Sequence, residues 1–155
     1  MTGRVEATLA KLAIKLPTPA ASVANYMPFV ISAGQLHISG QLPKGEDGNL
    51  IVGQLGTNLS VDEGQRAARL CGISIVSQIK AALGDLDRVK KVVKINCFVN
   101  SSGEFTGQPA VANGCSDVLV NIFGEEVGKH ARCAVGMAQL PLGAAVEVDA
   151  IVEFD

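Results

Sequence analysis

Between residues 60 and 84 the positions Ala67, Leu70, Cys71, Ile75, Ile79 and Ala82, with Ser74 and Gln78 in the same stripe, recur every three or four residues. That repeat is the signature of a helix burying one face. Ser60-Val61-Asp62-Glu63 ahead of it is an S-x-x-E capping box with acids where the helix dipole favours them, and Gly84 supplies a C-terminal stop. A second helix is predicted from Pro109, which suits a first helical turn, to Gly124, with Val111, Cys115, Val118, Leu119 and Ile122 as its stripe. Near the start, Val5, Leu9, Leu12 and Ala13 share a face of a short amphipathic helix over residues 3–14, ended by Pro17 and Pro19.

Elsewhere the period is two. Phe29 to Gln41 holds two apolar runs around Gly34 and reads as a hairpin, followed by a loop over residues 43–48 and a short strand at Leu50 to Val52. In Val89 to Val99, Val93, Ile95, Cys97 and Val99 share one face, with Lys94, Asn96 and Phe98 on the other. Residues 130–154, HARCAVGMAQLPLGAAVEVDAIVEF, form two alternating runs joined by a Pro/Gly turn and read as a closing hairpin. Its second run sets Val146, Val148, Ala150, Val152 and Phe154 against Glu147, Asp149, Ile151 and Glu153. The order predicts an α+β fold, a mixed six-stranded sheet with two helices on one face. Two helices cannot cover both faces of such a sheet, so the second is expected to be buried by self-association, cyclic homo-oligomers being the usual solution.

A length of 155 residues predicts one domain over 1–155, divided into an N-terminal helical extension, 1–19, and a core, 20–154. Although 48% of residues are hydrophobic, no apolar run approaches the ~20 needed to span a bilayer. The first residues carry periodic charges where a signal peptide needs an unbroken apolar stretch, so a cytoplasmic location with no membrane partner is expected. A net charge of -2, no Trp and one Tyr argue against a nucleic-acid partner. Cys71, Cys97, Cys115 and Cys133 have no C-x-x-C spacing and are expected as buried free thiols. His37 and His130 form no spaced ligand set, so no metal is predicted, and neither a Walker motif nor a strand-to-helix G-x-G-x-x-G supports a nucleotide cofactor.

Arg132 and Glu147 are the conspicuous exceptions to these apolar strands. A guanidinium offers a permanent planar fork, so Arg132 either awaits an anion or pairs structurally with Glu147 or Asp149. Glu147 is either a site acid or one of three solvated carboxylates along its strand. Inside one tight hairpin a same-face Arg132 and Glu147 would sit about 4 residues apart, ~13 Å, leaving both available. Tyr26 reads as a packed aromatic or a cleft residue, and Asn113, early in the second helix, as an exposed amide or a site group.

The run at 130–154, together with Tyr26 and Ile38-Ser39-Gly40-Gln41, resembles the RidA/YjgF family over about residues 20–154. The resemblance implies a RidA/chorismate-mutase-like fold, a homotrimer with clefts between subunits, and cofactor-free hydrolysis of reactive 2-imino or 2-enamino acids to 2-keto acids with release of ammonia. It places Arg132 on the residue that clamps the substrate carboxylate and Glu147 on the acid that orients water. Tyr26 falls in the segment that closes over the cleft, and Gly40 where backbone approaches ligand. Asn113 matches the Asn of a V-N-x-x-Y pattern, and Cys133 lines the site beside Arg132. Ser116 stands where that pattern has an aromatic, which with the N-terminal helix and Cys133-Ala134 marks an outlying branch. Two other readings are a noncatalytic small-carboxylate or keto-acid binding module, which the same Arg serves, and an endoribonuclease, which fits poorly with the net charge and the lack of a paired His base and acid.

Overall fold

A computed structural model describes residues 3–155; Met1 and Thr2 of the expected extension lie outside the described residues. The elements are α1 (Arg4–Lys11), β1 (Phe29–Ser32), β2 (Gln35–Gln41), α2 (Val61–Leu83), β3 (Val89–Asn100), α3 (Gln108–Phe123), α4 (Glu125–Gly128), β4 (Ala131–Met137) and β5 (Val146–Phe154). The capping box forms as expected: Glu63 N donates to Ser60 Oγ at 3.2 Å and Ser60 N to Glu63 Oε2 at 2.7 Å. Gly3 has no side chain to cap α1, and Asp87 takes that role from a distance, accepting from the backbone N–H groups of Arg4 and Val5 at 2.6 and 2.8 Å.

The sheet has five strands in the order β1-β2-β5-β3-β4, antiparallel throughout except for the parallel β3–β4 pair. The expected sixth strand is reduced to isolated bridges, Lys44 with Leu50 and Val52 with Ala144, because Gly53 at φ 136° turns the chain aside directly after Val52. The closing hairpin is also absent. β3 lies between β4 and β5, so β3, α3 and β4 make a parallel crossover. Burial explains the choice: the inner positions Val146, Val148, Ala150 and Val152 are all buried, which suits an interior strand, whereas Ala/Gly-containing β4 has little apolar bulk and takes the edge. A bulge in β3 between Val92 and Lys94 places Val92, and not the expected Val93, in the core.

Helices α2 and α3 cover the face carrying Leu36, Ile38, Ile95, Cys97, Val148 and Ala150, and approach each other closely at small residues. A β-carbon at Gly114 would overlap the Gln65 backbone, and one at Gly72 would lie 2.7 Å from Val118 Cγ1. The opposite face is mixed and only partly covered. Phe98, Glu147 and Val135 share one of its rows, and Asn96, Asp149 and Cys133 the next. Val30 and Val135 there are 53% and 42% exposed. Among the described residues no helix is long and apolar enough to cross a membrane.

Candidate functional site

Arg132 is in register with Ile95 of β3, so its side chain leaves the sheet on the helix-covered face, at the edge where α3 overhangs β4. Asn113 and Ser116, one helical turn apart on α3, meet it there. Arg132 Nη1 donates to Asn113 Oδ1 at 2.9 Å and to Ser116 Oγ at 3.1 Å. Both contacts use Nη1, which leaves the Nε–Nη2 edge, the side that grips a carboxylate with two parallel bonds, without a hydrogen-bond partner among the described residues.

Behind this clip stands His130. Its Nδ1 lies 2.6 Å from the Gly128 carbonyl and its Nε2 2.9 Å from Ser116 Oγ. A carbonyl only accepts, so Nδ1 carries the proton; Nε2 of the neutral ring then accepts from the Ser116 hydroxyl, whose lone pairs face Arg132. Burial holds the imidazole below its ordinary pKa, against the pull of the Gly128 carbonyl, and the Arg132 and Lys91 cations add to the lowering. A hydroxyl beside an imidazole suggests a nucleophile and base, but this oxygen already accepts from a permanent cation, which draws off the electron density that attack requires.

Glu147 is in register with Phe98 and leaves the sheet on the opposite face. The structural pair weighed for Arg132 is therefore not formed, and Asp149 instead accepts from Asn96 Nδ2 at 2.8 Å. The same-face hairpin geometry is corrected too, since β3 separates the two strands. Glu147 is half-buried, and burial, then the Asp149 charge, raise its carboxyl above the usual range. Its carboxyl lies on Gly40, in the β2 irregularity between Ile38 and Gln41: a β-carbon there would sit 2.9 Å from Glu147 Cδ and overlap Oε1. Gly40 thus makes room for the acid itself. Ser39 Oγ donates to the Met27 carbonyl at 2.7 Å, holding the segment that carries Tyr26, itself 51% exposed, beside this half of the site.

The fold accordingly gathers the candidates into two groups, Arg132 with Asn113 on one face and Glu147 with Gly40 on the other. Cys133 joins neither: it pairs with Asn96 on the open face, turned away from the Arg132 clip, and is exposed where a buried thiol is expected. The other thiols are buried, and burial pushes Cys97 up to about 12, so none is a ready nucleophile. The roles of His130 and Ser116 escape a reading that asks only for metal ligands or family matches. The available signal is spacing, since 130 and 132 are two residues apart where the alternating run begins and 113 and 116 share a helix face. Two surface depressions, of about 440 and 240 Å³, include neither Arg132 nor Glu147.

A family model described as "YjgF/chorismate_mutase-like, putative endoribonuclease" matches residues 6–154. Protein TCP17 of Trypanosoma cruzi is 63% identical over 154 residues, 99% of this chain and 96% of that protein. The crystal structure of Atu1372 from Agrobacterium tumefaciens, a protein of unknown function, is similar at 48% identity and a TM-score of 0.90, covering 97% of this chain and 92% of that one. A structure from Shewanella oneidensis described as a "putative endoribonuclease" is similar at 34% identity and a TM-score of 0.93, covering 98% and 100%.

Proposed function

This chain belongs to the RidA/YjgF family, and from that premise we propose that it hydrolyses reactive 2-imino and 2-enamino acids to 2-keto acids, without a cofactor, in clefts between copies of itself. One observation carries the reading. The anion clip and the carboxylate leave opposite faces of the same sheet, from register positions three residues apart along β3, ~10 Å. They are complementary halves that one chain cannot bring together, and a head-to-tail contact between copies joins them and closes into a ring, here a cyclic trimer. The mixed open face, with exposed Val30 and Val135, supplies apolar surface for that contact.

In such a cleft the Nε–Nη2 edge of Arg132 grips the substrate carboxylate and fixes the C=N carbon. Glu147 from the neighbouring copy holds a water over that carbon and takes its proton as oxygen attacks; its raised pKa makes it the stronger base. The C=N electron pair moves to nitrogen and Glu147 returns the proton there, giving a carbinolamine. Glu147 then takes the proton of the new hydroxyl and passes it to the amino nitrogen, so that the carbonyl forms as the C–N bond breaks and ammonia leaves. An enamine enters after protonation at carbon gives the imine. These imines hydrolyse unaided, so orientation and a preorganised field suffice.

The test is release of ammonia and keto acid from freshly generated 2-aminoacrylate and from bulkier 2-imino acids, with rates expected above the spontaneous background. Arg132→Ala is expected to lose binding and turnover together, by ~2–5 kcal/mol. Glu147→Gln should keep affinity for a nonreactive keto acid while kcat falls. Background rates from a protein that binds keto acids tightly would contradict hydrolysis and leave a carboxylate-binding module.

A further inference from the structure

We propose that His130, acting through Ser116, is a positioning residue that makes the carboxylate affinity of Arg132 respond to pH; the proposal rests on the carboxylate-clip reading above. The geometry is a continuous chain: Gly128 carbonyl, His130 ring, Ser116 hydroxyl, Arg132 Nη1, with steps of 2.6, 2.9 and 3.1 Å. With a neutral ring the Ser116 proton is committed to Nε2, and Ser116 offers Arg132 only lone pairs. A protonated ring reverses that bond. Nε2–H then donates to Ser116 Oγ, the bond from Nδ1 to Gly128 is unchanged, and the Ser116 proton is released to turn toward the cleft. The clip gains a hydroxyl donor beside the guanidinium and one positive charge behind it, and both favour a bound carboxylate.

The groups facing the ring are few. Arg132 from β4 and Lys91 from β3 are both cations. From α3 it meets the uncharged Ser116 hydroxyl and from the end of α4 the Gly128 carbonyl. Lys129 beside it is paired with Glu125 Oε2 at 2.8 Å. Burial first, and then these cations, hold the His130 pKa below the ordinary value of 6.5 while the clip is empty, and an anion on Arg132 raises it again. Binding and proton uptake are therefore linked in mildly acidic solution. Burial, then the Asp149 charge, raise the Glu147 carboxyl, and its protonation would also strengthen anion binding, so the experiment must silence it.

The experiment is calorimetric titration with pyruvate, a 2-keto acid with no ammonia to lose, on the Glu147→Gln protein and on the same protein carrying His130→Gln, Ser116→Ala or Arg132→Ala. Each is titrated between about pH 7.5 and about pH 5 in buffers of different ionisation enthalpy. With His130 present, affinity is expected to rise ~fivefold as pH falls, the worth of about one added hydrogen bond, with net proton uptake. Gln at position 130 keeps an acceptor for Ser116 but does not titrate, so both the rise and the uptake should vanish. Ser116→Ala should reduce both by breaking the relay. If Arg132→Ala abolishes pyruvate binding while His130→Gln keeps the pH dependence, this inference fails and the clip stands. If Arg132→Ala binds pyruvate normally, clip and relay fall together.

Discussion

Gly40→Ala separates stability, binding and turnover by a single methyl group. The added carbon would overlap Glu147 Oε1 and lie 2.9 and 3.1 Å from Cδ and Cγ, and an ordinary van der Waals contact requires the carboxyl to move by more than ~1 Å. Gly40 is not among the residues with positive φ, so alanine brings no backbone strain, and the group displaced is the end of a flexible side chain. The stability cost should stay under ~1 kcal/mol, below typical overpacking of a rigid core. The catalytic cost should be much larger, because displacing a reacting group by about 1 Å costs on the order of 10²-fold in rate. Keto-acid affinity should hold near the wild-type value, since Arg132 lies on the opposite face of the chain. Denaturant unfolding, calorimetric titration and kcat for 2-aminoacrylate hydrolysis, on one preparation, measure the three effects. Wild-type kcat would refute the role of Glu147 as the water-holding group, and lost keto-acid affinity with an intact fold would refute the division of the site into separate halves.

Three further outcomes are expected. The kcat profile should have an acidic limb above 4.5, because Glu147 must be ionised to accept a proton and its pKa is raised; activity falls as pH drops through that value, and a limb at or below 4.5 would remove the proposed base. Asp87→Ala should expose two N–H groups of α1 and cost about 1 kcal/mol of stability by denaturant unfolding. The bonds from Val5 and Arg4 lower the Asp87 pKa below 3.8, so the stabilisation is present above the unfolded value and lost as pH falls through the folded one. Gly114→Ala should destabilise by roughly 1–3 kcal/mol by thermal or chemical unfolding, because its methyl group meets the Gln65 backbone and not a side chain that can swing away.

Much of the fold was legible where the deciding contacts are local. The box at Ser60 and Glu63 and the stripe through Ala67, Cys71, Ile75 and Ile79 concern residues a few positions apart, and α2 follows them closely. Alternation in β5 likewise told which side chains face inward. Alternation says nothing about partners, however, so the insertion of β3 between β4 and β5 was hidden, and with it the placement of Arg132 and Glu147 on opposite faces. The bulge that exchanges Val93 for Val92 arises from cross-strand register and leaves no local mark. At the candidate site, single chemical types drew attention to Arg132, Glu147 and Asn113. The path from His130 through Ser116 leaves no local mark because it joins the residue just before β4 to a helix position 14 residues earlier.

The central claim is that each site takes Arg132 from one copy and Glu147 from another. Arg132→Ala and Glu147→Gln chains, each inactive alone, can be unfolded together, refolded as a random mixture and assayed for 2-aminoacrylate hydrolysis. An intersubunit site predicts recovery of about one quarter of wild-type activity, because an intact Arg132 half meets an intact Glu147 half with probability about one half times one half. Mixed assemblies that form, verified by differently tagged chains, yet show no more activity than the separate variants would contradict it.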